Sequence, residues 1–158
     1  MTAPTKSITI YTDGACLGNP GPGGYGVLLI YKGHRKELQG GYRRTTNNRM
    51  EIQAAIAGLE ALKEPCTVEL YTDSKYVVDA IEKGWAKRWR ANGWRKNKKE
   101  PAKNPDLWAQ LLQLCDRHQV TFRWVKGHAG QPENERCDDI ARASAQGSDL
   151  VVDEGYEG

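Results

Sequence analysis

Ile8-Thr9-Ile10-Tyr11-Thr12-Asp13-Gly14, and its echo Val68-Glu69-Leu70-Tyr71-Thr72-Asp73-Ser74, decide how this chain folds. Each block alternates apolar and polar residues, is rich in β-branched types and runs through Tyr-Thr-Asp into a small residue. Both read as strands that stop at the same edge of one sheet, each leaving an aspartate at its carboxyl end. The stretch between them is long enough for a hairpin and a crossover helix, so the two strands can lie parallel and adjacent. In open sheets that edge is where ligands bind. Two carboxylates delivered side by side repel unless a cation or a proton sits between them. Taken singly, either aspartate reads as a turn residue or a helix cap. Repetition of the whole block favours the chemical reading.

The rest of the composition narrows the class. A chain of 158 residues suits one domain with a proper core. No apolar run approaches membrane-spanning length, and the amino terminus lacks a signal-peptide layout, so a cytoplasmic protein with no membrane partner is expected. Cys16, Cys66, Cys115 and Cys137 are scattered without a Cys-x-x-Cys spacing, which argues against structural zinc and a disulfide scaffold. The net charge of +3 hides an asymmetry. Residues 83–103 carry nine Lys or Arg and one acid; removing them from totals of 23 and 20 leaves 14 basic and 19 acidic residues elsewhere. A mildly acidic body with a concentrated basic element points to a polyanionic partner.

Outward from the two blocks, residues 1–6 read as a flexible start. The glycine-rich run Gly14 to Gly24 lacks the Gly-Lys-Ser/Thr ending of a triphosphate loop and leads into a strand, which argues against such a site. Tyr25–Tyr31 and Arg35–Tyr42 read as a hairpin around Lys32-Gly33-His34. Arg44-Thr45-Thr46-Asn47-Asn48-Arg49-Met50-Glu51 then opens a helix expected to reach about residue 64, apolar around most of its circumference and therefore buried. Glu51 near its start either complements the helix dipole or is a buried carboxylate in need of a partner.

Ser74 can cap a helix from Lys75 to about Lys83. The basic stretch interleaves Trp85, Trp89 and Trp94 with its cations, so these rings read equally as core or as part of a projecting element that grips a phosphate backbone. A further helix starts near Asn104, a fifth strand covers Gln119–Val125, and a last helix runs from about Glu133 to Ala145. Asp138 in that helix lies beside the buried stripe, where it can simply pair with Arg142. From Gly147 the tail holds four acids and no base, which predicts disorder over 147–158.

The expected fold is thus a single α/β domain, a five-stranded mixed sheet with helices on both faces. Asp13, Glu51 and Asp73 are expected to meet at one end of it, and the loop around His128 would bring Asp138 to the same edge. Carboxylates without Cys or His ligands favour hard cations, Mg²⁺ or Mn²⁺. Two such ions about 4 Å apart can activate a water and stabilise a leaving oxygen in phosphodiester hydrolysis.

Tyr-Thr-Asp-Gly followed by Gly18-Asn19-Pro20-Gly21-Pro22-Gly23, the Thr45-to-Glu51 segment, Thr72-Asp73-Ser74, Val125-Lys126-Gly127-His128-Ala129-Gly130 and Glu133-to-Asp138 together resemble the bacterial type 1 ribonuclease H family. The likeness keeps order and spacing over roughly residues 7–146. It implies a ribonuclease H-like catalytic domain there and a metal-dependent endonuclease, monomeric, that cleaves the RNA strand of RNA–DNA hybrids to 5′-phosphate and 3′-hydroxyl ends. By that resemblance Asp13, Glu51, Asp73 and Asp138 fall on the metal-binding carboxylates, holding one or two Mg²⁺ ions, with Mn²⁺ as an alternative. His128 falls on the family's catalytic histidine; an imidazole titrates near neutrality, which suits proton transfer or release of the product phosphate. Cys16, Asn19, Asn47 and Asn48 match minor-groove contacts, where the ribose 2′-hydroxyl distinguishes RNA from DNA. Arg44, Thr46 and Asn104 match a pocket for a DNA-strand phosphate. Trp85 with Arg88, Arg90, Lys96 and Lys98 resembles the family's basic protrusion. Lys75 departs from the glutamine of relatives, so a phosphate contact is expected there in place of the family's minor-groove hydrogen bond. Two other classes fit less of the sequence: another nuclease or strand-transfer enzyme of the same fold, and a non-catalytic hybrid-binding module.

Overall fold

A computed structural model describes residues 6–157. The expectation of a flexible start falls almost wholly on residues 1–5, outside the described residues. Lys6 itself is tied down, its carbonyl accepting from the Thr67 N–H at 2.9 Å.

Five strands, β1 (Ser7–Cys16), β2 (Gly21–Tyr31), β3 (His34–Thr45), β4 (Thr67–Thr72) and β5 (Gln119–Trp124), form one mixed sheet in the order β3-β2-β1-β4-β5. The sequence echo has a direct structural meaning. β1 and β4 run parallel with Tyr11 opposite Tyr71 and Thr12 opposite Thr72, so the next residues, Asp13 and Asp73, emerge together. The paired tyrosine rings stack at 4.9 Å between centroids. The hairpin strands are longer than expected: β2 starts at Gly21 rather than Tyr25 and β3 runs to Thr45 rather than Tyr42. β1 also continues past Asp13 to Cys16, because β2 still pairs with it after β4 has ended.

Helices cover both faces. α1 (Asn47–Glu60) lies across β1 and β2 with Gly58 against Ile10 and Val27. It ends four residues short of the expected limit because Lys63-Glu64-Pro65 is exposed and offers no apolar face to extend it. α2 (Lys75–Glu82), α3 (Trp85–Ala91) and α4 (Pro105–Arg117) complete that side around the buried Trp108, Leu111 and Leu112. α5 (Pro132–Ala145) occupies the opposite face. It approaches closely because β2 offers glycines there: a Cβ on Gly24 would lie 2.6 Å from the Ala141 carbonyl oxygen, and one on Gly26 would strike the Cys137 carbonyl.

The carboxyl-terminal segment is not the free tail that its composition predicts. Val151 forms a parallel bridge to Tyr42 on β3, a short helix α6 (Glu154–Glu157) follows, and Asp153 is buried. Its carboxylate accepts from Thr45 Oγ1 at 2.6 Å and from both Nε and Nη2 of Arg49. One of the acids that suggested solvation, Asp153, is here the partner of a buried cation, which composition alone does not reveal.

Candidate active site and nucleic-acid interface

Asp13, Glu51 and Asp73 are brought together by three different elements. Asp13 sits within β1 where its ladder to β4 stops, Asp73 follows the last residue of β4, and Glu51 occupies the first turns of α1. One carboxylate oxygen from each lies within 4.8 Å of the other two. Glu51 is fixed by the Gly14 N–H, which donates to its Oε1 at 2.5 Å. α1 is started by Thr46, whose Oγ1 accepts from the Arg49 N–H at 3.2 Å; this cap sets the helix rotation that turns Glu51 inward.

Such a cluster resists ionisation. Burial raises the Asp13 pKa first, then the charges of Glu51 and Asp73, with hydrogen bonds to Glu51 and Asp138 in the same direction. Glu51 is likewise pushed up by burial and by Asp73, opposed by hydrogen bonds from Asp13 and Gly14. The groups pressing on Asp13 are all carboxyls, so the uncompensated demand is for positive charge. An all-oxygen donor set this compact fits a small hard divalent cation.

Asp138 stands beside this triad rather than within it. Its carboxyl lies near enough to help raise the Asp13 pKa, yet it also accepts from Arg142 Nε at 3.0 Å, so the ion pair expected of a plain i,i+4 neighbour is present as well. The loop carrying His128 passes against Asp73: a Cβ on Gly127 would lie 2.7 Å from Asp73 Oδ2. Glycine there lets the loop touch the carboxylate. His128 follows, exposed and in a left-handed conformation at φ 56°.

The residues expected to contact nucleic acid spread along one side of this cluster. Cys16 ends β1, its thiol donating to the Gly18 carbonyl at 2.8 Å. Asn19 accepts from the Asn47 N–H at 3.1 Å, joining the glycine-rich turn to the start of α1. Asn19, Thr46, Asn48 and Asn104 line a cavity of about 760 Å³ together with Lys103 and Tyr156. Asn48 also lines a second, of about 600 Å³, with Tyr76, Trp85, Arg88, Trp89 and Lys96. Trp85 and Trp89 thus serve both readings, resting on the core and presenting a face to this groove. Lys98 borders a smaller depression, of about 480 Å³, with Arg95.

Two placements differ from the expected grouping. Arg44 is exposed at the end of β3 and does not line the Thr46–Asn104 cavity. Arg90 points back to α4, pairing with Asp116 at 3.8 Å, because it lies on the opposite side of α3 from the groove. Lys75 holds its ammonium 4.8 Å from the centre of the Trp124 ring.

Several residues at the site escaped sequence reasoning. Arg49 is 2% exposed and bridges Asp106 and Asp153 while donating to Asn104 Oδ1 at 3.3 Å. It ties α1, α4 and the carboxyl-terminal segment into one network. An arginine in an otherwise apolar buried helix was the available signal. Asn104 is held in turn at φ 61°, its amide donating to the Tyr76 hydroxyl at 3.4 Å. No helix among the described residues is long and apolar enough to cross a membrane.

Comparison with known proteins gives consistent results. A family model described as RNase H matches residues 5–146. A ribonuclease H of Desulforamulus reducens is 71% identical over 148 residues, covering 94% of this chain and 93% of that protein. The crystal structure of LC9-RNase H1, a type 1 RNase H with the type 2 active-site motif, superposes with a TM-score of 0.83 at 36% identity, over 99% of this chain and 82% of that one. LC11-RNase H1, solved in complex with an RNA/DNA hybrid, shares the fold at 24% identity and a TM-score of 0.67, over 95% of this chain and 99% of its own.

Proposed function

The chain belongs to the ribonuclease H family, and on that premise we propose that it hydrolyses the RNA strand of RNA–DNA hybrids, leaving 5′-phosphate and 3′-hydroxyl ends. The observation that carries this reading is the convergence of Asp13, Glu51 and Asp73 within 4.8 Å, with Asp138 alongside. These four carboxylates would hold Mg²⁺, one ion or two, with Mn²⁺ as an alternative. When bound, the metal supplies positive charge against the scissile phosphate and lowers the pKa of a water.

The chain's own residues do the remaining work. Glu51 is held by the Gly14 N–H and Asp13 by its place inside the β1–β2 ladder, so the cluster keeps its shape before substrate arrives. His128, exposed on its loop next to Asp73, is placed to move a proton or to help the product phosphate leave. Cys16, Asn19, Asn47 and Asn48, at the junction of β1 and α1, face the minor groove of the hybrid. Thr46 and Asn104 take a phosphate of the DNA strand in the cavity they share. Trp85, Arg88 and Lys96 extend the grip along the backbone, as does Lys98 beyond them. Needing ribose on one strand and DNA on the other selects the hybrid over either pure duplex.

The test is to incubate the protein with Mg²⁺ and matched RNA–RNA, DNA–DNA and hybrid duplexes. Cleavage confined to the RNA of the hybrid is the expected outcome. Preferential cutting of DNA would assign the same carboxylates to another nuclease, and binding without cleavage would make the chain a hybrid-binding module.

A further inference from the structure

We propose that Trp124 is a positioning residue for the Asp73 carboxylate, acting through the main chain; this rests on the reading of Asp73 as a metal-binding group. Asp73 has a structural problem that Asp13 does not. Asp13 lies inside β1, where the ladder to β2 continues on both sides of it. Asp73 lies past the end of β4, whose register with β1 and with β5 stops at Thr72. A carboxylate on an unpaired bend can swing, and a shift of about 1 Å in such a site is costly.

β5 and the chain after it supply the missing support. The Val125 N–H donates to the Thr72 carbonyl at 3.0 Å, carrying the pairing one step beyond the strand. The Trp124 indole Nε1–H donates to the Asp73 carbonyl at 3.0 Å, holding the peptide between Asp73 and Ser74. Gly127 packs on the carboxylate itself. On the other side the Ser74 N–H is taken by Thr72 Oγ1 at 3.1 Å. Of these, the indole bond is the one made by a side chain that the core does not need: Trp124 is 45% exposed. A large aromatic left in solvent at the end of an edge strand, with its only N–H aimed at the backbone of Asp73, has its reason in that bond. The Lys75 ammonium over the ring fixes the indole plane by cation–π attraction. Lys75 and Trp124 therefore form a clamp whose product is the orientation of Asp73.

The discriminating variant is Trp124→Phe, which keeps a six-membered aromatic face for the Lys75 ammonium while removing the indole N–H. Trp124→Phe, Lys75→Met, Asp73→Asn and the unaltered chain are compared by calorimetric Mn²⁺ binding without nucleic acid, by hybrid cleavage resolved into kcat and KM, and by thermal unfolding. For Trp124→Phe the expected results are Mn²⁺ affinity and kcat each down about five- to tenfold, with KM for the hybrid and the unfolding temperature unchanged. Lys75→Met is expected to shift the same two quantities by about two- to threefold. Unchanged Mn²⁺ affinity and kcat in Trp124→Phe would overturn the proposal. So would a rise in KM alone, which would make the indole a nucleic-acid contact. If Asp73→Asn binds Mn²⁺ like the unaltered chain, the assignment of Asp73 as a ligand fails first, and independently of Trp124.

Discussion

Asp13 and Glu51 are carboxylic groups raised in pKa by burial first, and then by neighbouring carboxylates, Glu51 and Asp73 acting on Asp13 and Asp73 on Glu51; this has a consequence for stability without metal. A group whose folded pKa lies above its unfolded value contributes fully below the unfolded value, about 4, and loses that contribution as pH rises toward the folded one. Asp106 works the other way. Hydrogen bonding from Arg49 holds its pKa down, so its contribution is present above the ordinary carboxylate range and lost as pH falls through it. The metal-free protein is therefore expected to be most stable at mildly acidic pH, and added Mg²⁺ to flatten the decline on the alkaline side. Thermal unfolding across pH 3–9, with and without Mg²⁺, measures both. Asp13→Asn should raise the metal-free stability at pH 8 by about 1–2 kcal/mol while abolishing cleavage. Asp73→Asn should cut the rate by about three orders of magnitude with hybrid binding retained, since the lost metal interaction belongs to the chemistry more than to the grip. Cleavage at the normal rate would remove Asp73 from the ligand set. The two aspartates were legible in the sequence because a repeated block in parallel register puts like residues side by side. The partners of Arg49 and Trp124 were not: an arginine in a buried helix signals that a counter-charge is needed, but nothing in type or spacing says where along the chain it lies.

At the level of elements, every strand and each longer helix was readable from periodicity and punctuation, while their ends were set by neighbours. β1 outlasts its aspartate because β2 keeps pairing, and α1 stops where its apolar face does. The basic protrusion shows the same limit. Its charge was visible in the sequence, but which cations reach the groove depends on the side of α3 they occupy. Arg88 and Lys96 line the groove and Lys98 borders the next depression, whereas Arg90 pairs with Asp116. Neutralising Arg88, Lys96 and Lys98 should lower the slope of log K against log salt by about 2–3, each phosphate contact contributing roughly 0.9. Arg90→Gln should leave that slope unchanged. Filter binding from 50 to 300 mM salt decides, and an unaltered slope in the triple variant would place the protrusion off the phosphate backbone.

At the scale of the whole molecule, one buried cation joins distant parts of the chain. Arg49 is held by Asp106 at 2.7 Å and by Asp153 at 2.7 Å, and Asp153 also binds Thr45. Removing the guanidinium strands Asp153 in the interior, so Arg49→Ala should cost about 3–5 kcal/mol in urea unfolding. Asp153→Asn should cost less, because an amide still accepts one bond. The carboxyl-terminal segment looked unstructured because acidity without periodicity normally means solvation, and its counter-charge lay 104 positions earlier. Only the folded chain brings the two together.

That segment also guards a margin of the sheet. β3 is one of the two outermost strands, and its backbone would otherwise present open donors and acceptors to any neighbouring molecule. Val151 already occupies two of them, accepting from the Arg43 N–H and donating to the Gly41 carbonyl. A second copy arriving edge-on would find the carboxyl-terminal part of that rail taken by Val151, and sheet extension from molecule to molecule is blocked there.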